Sequence, residues 1–196
     1  MAHYFTNDYV VSNEKKIIIK FKNKEYSMYT DNNVFSKKNL DFGTRTLLEN
    51  LDLSSLKGDI LDFGCGYGPI SIILGSLVDA NIDGIDINLR SLNLAKKNAF
   101  ENKVKVNFFE SNIYENITKK YDFIITNPPI RVGKEILYKI LFDAKNHLKD
   151  NGELIFVMSK DQGAKSTIKA LENEYLVDVL AKNKGFYVIK CKIRKI

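Results

Sequence analysis

The hydrophobic and polar positions along this chain follow two alternating periods. Apolar runs of about four to eight residues predict strands, and longer stretches with apolar residues at helical spacing predict helices between them. The first pair of runs, residues 17–21 and 25–30, flanks a short polar turn and predicts a β-hairpin. Seven further strands are predicted at residues 59–62, 81–86, 105–110, 121–126, 153–158, 175–180 and 186–193.

Helices are predicted at about residues 44–51, 69–77, 89–100, 135–149 and 164–172, with Asn151-Gly152 as the stop of the fourth. Strands that alternate with helices indicate a parallel sheet, and the short turn before residue 186 makes the last strand antiparallel. We therefore expect an α/β fold: a Rossmann-like doubly wound, mostly parallel seven-stranded sheet with an antiparallel last strand, plus a small N-terminal β-hairpin. Residues 1–43 would form an arm, the hairpin and a lid loop, and residues 44–196 the main domain.

A glycine-rich turn follows the first of the seven strands. Asp62 ends the strand, Phe63 follows, and Gly64, Gly66 and Gly68 alternate before a helix that starts with a proline. Glycines let a ligand approach the main chain closely, which indicates a nucleotide-like ligand. A pyrophosphate site has G-x-G-x-x-G spacing and no acid to repel the phosphates. An acid beside closely spaced glycines instead suits an ammonium group, which favours S-adenosylmethionine over NAD.

Two later strands end beside polar residues suited to a nucleoside. Asp86, followed by Ile87, ends the second strand about 20 residues past the glycine turn, where a doubly wound fold binds ribose hydroxyls. Ser111 and Asn112 follow the third strand, beside the expected position of an adenine. A turn asparagine without a ligand is the alternative for Asn112.

The fourth strand runs directly into Asn127-Pro128-Pro129. Two prolines cannot continue a central strand, so they stiffen a turn at the carboxyl edge of the sheet, where open α/β sheets bind ligands. The turn holds the polar groups of Asn127 and the carbonyl of Pro128 in fixed directions. We expect Asn127, Pro128 and Pro129 to be the catalytic residues, with Asn127 also beside the cofactor.

The charge of the chain is distributed unevenly. The net charge is +6, and residues 131–196 alone carry 14 Lys and Arg against eight Asp and Glu, whereas residues 59–130 carry seven against nine. Basic flanks around an acidic cofactor segment fit a nucleic-acid modifier; solvated surface lysines are the alternative. Lysines along the hairpin likewise suit either a phosphate backbone or the protection of an edge strand.

Several further features limit the class of protein. No apolar run is long enough for a membrane span, and the first residues lack a secretion signal, so cytoplasmic localisation without a membrane is expected. The two cysteines, Cys65 and Cys191, are expected to be free thiols, and two histidines offer little for a metal site.

The motifs together resemble a class I S-adenosylmethionine-dependent methyltransferase. Asp-Phe-Gly-Cys-Gly-Tyr-Gly and Thr-Asn-Pro-Pro-Ile are similar to the small methyltransferase family that includes the ribosomal RNA guanine-N2 methyltransferase RsmC, as are Val34-Phe35-Ser36 and residues 40–43. The run Asn-Pro-Pro-Ile-Arg-x-Gly-Lys and the pair Gln162-Gly163 most resemble a short, single-domain, YbxB-like bacterial branch.

This resemblance implies roles for the candidate residues. Asp62 and the three glycines would line the methionine end of S-adenosylmethionine, Asp86 the ribose and Asn112 the adenine, while Asn127 and Pro128 would hold the exocyclic amine of a base. Relatives that methylate adenine or glutamine usually have Tyr or Phe where this chain has Ile130. Phe35 is then the candidate for stacking on the base, and the substrate contacts expected are Phe35, Ile130 and Arg131.

The resemblance implies methylation of the exocyclic amine of a guanine in ribosomal RNA, with RNA or a ribosomal particle as the partner. Such an amine needs positioning and electrostatic preorganisation and not a strong base, which agrees with the absence of a His, Cys or Glu dyad. Two alternatives remain: N-methylation of adenine or of a protein glutamine, and a catalytically idle RNA-binding protein with this fold.

Overall fold

The structure, a computed structural model, describes residues 12–31, 39–129 and 132–194. Among these residues no helix is both long and apolar enough to cross a membrane. The elements in chain order are β1 (Lys15–Phe21), β2 (Lys24–Thr30), α1 (Phe42–Glu49), β3 (Gly58–Phe63), α2 (Pro69–Gly75), β4 (Ala80–Asp86), α3 (Leu89–Glu101), β5 (Asn107–Glu110), β6 (Tyr121–Thr126), α4 (Lys134–His147), β7 (Leu148–Ser159), a 3₁₀ turn (Lys160–Gln162), α5 (Ala164–Leu171), β8 (Tyr175–Asn183) and β9 (Phe186–Ile193).

The main sheet has seven strands in the order β5-β4-β3-β6-β7-β9-β8, and β1 and β2 form a separate antiparallel hairpin. Strands β3 to β7 are parallel, whereas β9 runs antiparallel to both β7 and β8. The predicted fold class is thus confirmed. The strand order reverses between β3 and β6, and a doubly wound sheet opens a ligand crevice at the carboxyl ends of such a pair.

Two hydrophobic cores cover the two faces of the sheet. One core contains Leu47 of α1, Ile72 of α2 and Leu92 of α3, and the other contains Leu141 of α4 and Leu171 of α5. These residues come from the apolar stripes that the helical spacing predicts. Because both faces are covered, ligands can reach the sheet only at its edges.

The hairpin packs on α3 and shares the first core. Ile19, Phe21 and Met28 are buried there. The side chain of Asn98 accepts a hydrogen bond from the Tyr29 amide (2.7 Å) and donates to the Tyr29 carbonyl (2.9 Å), and it also donates to the carbonyl of Tyr67 in the glycine turn (2.9 Å). Asn98 therefore joins the hairpin to the turn that follows β3. The division at residue 43 stays a prediction.

The end of α4 differs from the prediction. The helix ends at His147, β7 begins at the next residue, and Asn151 and Gly152 lie inside this strand instead of stopping a helix. The pairing of β6 with β7 shifts register between Tyr121 and Phe123, which accommodates the extra residues. A Cβ at Gly152 would lie 2.8 Å from the Tyr121 carbonyl oxygen, so glycine is needed for close approach of two backbones.

Smaller boundary differences have local causes. Helix α1 begins at Phe42 and not near residue 44, because Asp41 caps it, and β5 begins at Asn107 and not at residue 105. The polar loop after β7 contains a 3₁₀ turn in which the Ser159 amide donates to the Gln162 side chain at 2.8 Å.

Candidate active site

The three alternate glycines of the turn after β3 have different structural tasks. All have left-handed backbone angles, with φ of 69° at Gly64, 56° at Gly66 and 94° at Gly68. A Cβ on Gly68 would meet Ala95 at 3.2 Å, so this glycine permits packing against α3. Of the residues that the structure describes, a Cβ on Gly64 would meet only the Cδ of Pro129, at 3.9 Å. With respect to these residues, the main chain at Gly64 thus faces open space that extends toward the proline turn.

Asp62 is a buried acid with one oxygen left unpaired. Its side chain is held against α2, where Oδ2 accepts hydrogen bonds from the Ser71 amide (3.0 Å) and hydroxyl (2.5 Å). Oδ1 is buried and has no hydrogen-bond partner among the described residues. Burial raises the pKa of Asp62 to about 7, the bonds from Ser71 oppose this shift, and the charge of Asp86 adds to it. A buried, unsatisfied carboxylate oxygen can accept hydrogen bonds from a cationic ligand.

Asp86 connects the end of β4 to the glycine turn. Its Oδ2 accepts a hydrogen bond from the Gly66 amide and its Oδ1 accepts one from the Asn88 amide, both at 2.9 Å. Ile87 follows as a half-buried residue. These bonds fix the carboxylate of Asp86 beside Gly66, at the carboxyl end of β4.

Ser111 and Asn112 lie beside the end of β4. The amide of Ser111 donates to the Asp86 carbonyl at 3.1 Å, and its hydroxyl donates to the Ile113 carbonyl at 3.0 Å. Asn112 is exposed, and its side-chain nitrogen donates to Glu115 at 2.9 Å. The amino group of an adenine is a donor, so the side-chain oxygen of Asn112 is the atom that can accept from it.

Asn127 is oriented by two residues at the start of α1. Its side-chain nitrogen donates to Asp41 Oδ2 at 2.8 Å and to Thr44 Oγ1 at 3.0 Å. A carboxylate only accepts hydrogen bonds, so the amide nitrogen must face Asp41, and the oxygen points the other way. No hydrogen bond to this oxygen is present among the described residues. The half-buried Asn127 therefore offers a fixed acceptor at the carboxyl end of β6.

The neighbours of Asn127 strengthen this arrangement. The hydroxyl of Thr126 donates to the Phe63 carbonyl at 2.8 Å, which joins the ends of β6 and β3. Pro128 is buried and Pro129 half-buried. The structure thus brings the glycine turn and the proline turn together across the point where strand order reverses.

Sequence reasoning missed Asp41 and Thr44 as site residues. Asp41 is the N-cap of α1, and its Oδ2 accepts from the Thr44 amide at 2.8 Å as well as from Asn127. An acid three residues before a threonine, ahead of an apolar run, is a capping signal that could have placed the helix start. The contact with Asn127, 86 positions away, has no local signal.

Three predicted substrate contacts, Phe35, Ile130 and Arg131, lie outside the described residues. The other predicted site residues all lie along the carboxyl ends of β3, β4, β5 and β6. Their geometry defines a crevice in which an acid and glycines face a rigid asparagine, the arrangement of an α/β enzyme that acts on a nucleoside-containing cofactor.

Comparison with known proteins agrees with this class. The family model of the methyltransferase small domain matches residues 25–190. YbxB of Bacillus subtilis (strain 168) is 40% identical over 196 residues, which covers 97% of this chain and 98% of YbxB. Ribosomal RNA small subunit methyltransferase C of Haemophilus influenzae (strain PittGG) is 34% identical over 171 residues, 85% of this chain and 51% of its own. A Methanocaldococcus jannaschii relative, named provisionally as a protein N5-glutamine methyltransferase, is 35% identical over 146 residues, 64% of this chain and 74% of its own.

A solved structure shows the same fold. The Thermus thermophilus 16S rRNA N2 G1207 methyltransferase RsmC, in complex with AdoMet and guanosine, superimposes with a TM-score of 0.83 at 24% identity over 95% of this chain. The chain spans about half the length of both RsmC proteins, 51% and 52%. It belongs to the methyltransferase small domain family and is an S-adenosylmethionine-dependent methyltransferase.

Proposed function

We propose that this enzyme methylates the exocyclic amine of a guanine in ribosomal RNA. The observation that carries the proposal is the orientation of Asn127, whose nitrogen is held by Asp41 and Thr44 so that its oxygen can accept from an amine. The relatives named as ribosomal RNA methyltransferases support RNA as the substrate class. The basic segment from residue 131 supports it through charge.

The crevice residues fit S-adenosylmethionine, which when bound supplies an electrophilic methyl group on a sulfonium. The Oδ1 of Asp62, which has no partner among the described residues, would accept a hydrogen bond from the ammonium group, and Gly64 leaves room for the methionine part. Phe63, Gly66 and Gly68 complete the proposed binding turn. Asp86 and Ile87 would hold the ribose. Ser111 and Asn112 would hold the adenine, with the side-chain oxygen of Asn112 accepting from its amino group.

Asn127 and Pro128 position the target nitrogen. An amine conjugated to a purine ring is a poor nucleophile because its lone pair is delocalised into the ring. Hydrogen bonds from the amine to the Asn127 oxygen and the Pro128 carbonyl favour a pyramidal nitrogen and aim its lone pair across the crevice. The nitrogen gains a carbon as the carbon–sulfur bond breaks, and then loses one proton to solvent.

Asp41 contributes charge through Asn127. Its carboxylate accepts from the asparagine nitrogen at 2.8 Å, which polarises the amide and makes its oxygen a stronger acceptor. The target nitrogen becomes cationic during transfer, so this effect is larger in the transition state than in the ground state. Asp41 is thus a positioning residue, and Asn127 is the catalytic residue that touches the substrate. Phe35, Ile130 and Arg131 remain the proposed substrate contacts.

Methyl transfer to cellular RNA tests the proposal. RNA and small-subunit particles from a strain lacking the gene are incubated with the purified enzyme and methyl-labelled S-adenosylmethionine, then digested to nucleosides. We expect label in N2-methylguanosine from ribosomal RNA, and about a hundredfold slower labelling with Asn127→Ala. Label on adenine, or on glutamine in the protein fraction alone, would contradict the guanine assignment.

A further inference from the structure

An exposed aromatic and lysine surface borders the crevice. Phe42 is the first residue of α1, directly after Asp41, and its side chain is 36% exposed. Its ring centroid lies 5.4 Å from that of Phe186, at an interplanar angle of 59°. The Nζ of Lys184 lies 5.6 Å from the centroid of the Phe42 ring. We call Phe42, Phe186 and Lys184 the Phe42 platform.

The platform is held rigidly by its surroundings. Lys184 and Gly185 have φ of 44° and 84°, which forms a tight two-residue turn between β8 and β9. The carbonyl of Gly185 accepts a hydrogen bond from the Lys160 amide at 2.7 Å. On the other side, a Cβ added to Gly43 would lie 3.0 Å from Phe186 Cε1, so the glycine lets the ring pack directly on α1. The backbone of the turn and the packing of the Phe186 ring against α1 are therefore fixed by the fold.

Within the described part of the chain, no carboxylate pairs with the lysine of the platform. Lys184 makes no ion pair among the described residues, and the same holds for its neighbour Lys182, whose Nζ lies 5.2 Å from the Tyr187 ring centroid. By contrast, Lys149 and Lys192 at the opposite edge of the sheet are paired with carboxylates at 2.7 Å and 2.8 Å. An unpaired cation beside an exposed ring suits a ligand that has both negative charge and a flat face.

The platform is also continuous with the residues proposed to act on the target amine. Asp41, bonded to Asn127 at 2.8 Å, immediately precedes Phe42 in the chain. The backbone at Phe42 therefore lies beside the residues that would hold the target amine. An RNA strand has a phosphate and a base in every nucleotide, whereas a peptide presents an acid beside an aromatic ring only in particular sequences.

We propose that the Phe42 platform binds an unpaired nucleotide of the RNA substrate, with its base stacked on Phe42 and its phosphate near Lys184. This inference rests on the proposed function. Stacking on an aromatic side chain tolerates any base, so the platform adds affinity for single-stranded RNA and leaves the choice of target to other contacts.

Substitution of the ring tests the stacking. Phe42→Leu keeps an apolar side chain but removes the π face, and Phe42→Tyr keeps both. We expect the Kd of a short single-stranded oligoribonucleotide, measured by fluorescence anisotropy, to rise about tenfold in Phe42→Leu and to stay within about twofold of wild type in Phe42→Tyr. The matched control is Phe100→Leu, which removes an 86% exposed phenylalanine at the far end of α3 and should change nothing.

Substitution of the lysine tests the phosphate contact. Lys184→Gln should reduce the slope of log Kd against log salt concentration by about 0.7, the value for one phosphate contact on a single strand. Lys96→Gln removes the same charge from an exposed position on α3 and should leave the slope unchanged. The melting temperature and the affinity for S-adenosylmethionine should match wild type in every variant.

The outcomes separate this inference from the proposed function. If the wild type methylates RNA but Phe42→Leu binds the oligoribonucleotide as well as wild type, or no worse than Phe100→Leu does, the platform assignment is overturned and the function stands. If the wild type binds no RNA and methylates only protein, both are overturned. Loss of stacking affinity in Phe42→Leu with retention in Phe42→Tyr supports the platform.

Discussion

The two edges of the seven-stranded sheet treat their polar groups differently. At the amino edge, where the parallel strands begin, the carboxylates form ion pairs, whereas at the carboxyl edge some polar atoms have no partner among the described residues. At the amino edge, Lys149 bonds both Asp59 (2.8 Å) and Asp122 (2.7 Å), and Lys119 bonds Asp83 (3.0 Å). The hydroxyl of the buried Tyr121 also donates to Asp83 at 2.8 Å. These carboxylates have partners from the protein itself.

At the carboxyl edge, some polar atoms and one lysine have no such partner among the described residues. There, Oδ1 of Asp62 and the side-chain oxygen of Asn127 accept no hydrogen bond, and Lys184 pairs with no carboxylate. A buried polar group without a hydrogen bond destabilises a fold unless a ligand supplies that hydrogen bond. The two edges therefore differ in whether their polar groups have partners within the described residues, and not in the number of their charges. The carboxyl edge is the one that we propose binds ligands.

The largest effect is expected at the carboxyl edge, on the rate of methyl transfer and not on the melting temperature. Asn127→Ala should lower the single-turnover rate of methyl transfer by about a hundredfold, the order seen when one preorganised polar group is removed. The melting temperature should change little, because the Asp41 carboxylate keeps its bond from the Thr44 amide. Quench-flow kinetics and thermal unfolding of the same preparation measure both. A near-normal rate in folded Asn127→Ala would place the chemistry elsewhere.

The amino edge should show the opposite behaviour. Tyr121→Phe removes a buried hydroxyl that donates to Asp83, and a hydrogen bond to a charged group contributes about 2 kcal/mol to folding. For a chain of this length we expect the melting temperature to fall by about 4–8 °C. Scanning calorimetry measures the shift, and kcat at a temperature where the variant is folded should match wild type. A slower reaction in the folded variant would contradict the claim that the amino edge contributes to stability and not to the reaction rate.

A milder change at the carboxyl edge tests the contribution of the Asp41 charge to the reaction. Asp41→Asn keeps an acceptor and a good N-cap for α1 but removes the charge. We expect about a tenfold lower single-turnover rate, equivalent to about 1.4 kcal/mol, with KM and melting temperature close to wild type. Asp41→Ala serves as the contrast, because it removes the cap as well and should lower both rate and stability.

The smallest effect concerns pH. Burial raises the pKa of Asp62 to about 7, above the value of about 4 in an unfolded chain. Between about pH 4 and pH 7 the folded protein therefore binds one proton more than the unfolded chain. This group therefore stabilises the fold least above pH 7. A cationic ligand favours the carboxylate, so binding of S-adenosylmethionine should release a proton and tighten about fivefold from pH 6 to pH 7.5.

Isothermal titration calorimetry in buffers of different ionisation enthalpy measures that proton release. Asp62→Asn should bind more weakly and without the pH dependence, since it cannot ionise. If Asp62→Asn retained the wild-type pH dependence, the titrating group would not be Asp62, which would contradict this prediction.

Short-range patterns were enough to predict most of the fold. Periodicity gave the strands and helices, and the acids and glycines at strand ends placed the crevice, because parallel strands end at one edge. Gly152 shows where such patterns fail. The Asn-Gly pair has the local chemistry of a helix stop, but the glycine is needed for a contact with the backbone of Tyr121, 31 positions earlier.

The candidate site could also be predicted only in part from the sequence. The positions of Asp62 and Asp86 at the ends of β3 and β4 could be inferred from spacing, because they follow from the strand–turn–helix unit; their roles in binding are proposals. The pairing of Asn127 with Asp41 could not be inferred in this way, because it depends on α1 packing beside the end of β6. The same holds for Phe42 and Phe186, which meet only in the folded chain.

A double-mutant cycle between Asp41→Asn and Asn127→Ala tests the central claim most directly, namely that Asp41 acts on the reaction through Asn127. Single-turnover rates are measured for the wild type, both single variants and the double variant, all with checked melting temperatures. The account predicts that Asp41→Asn slows the wild type about tenfold but leaves the rate of Asn127→Ala nearly unchanged. Equal slowing by Asp41→Asn in both backgrounds would contradict it.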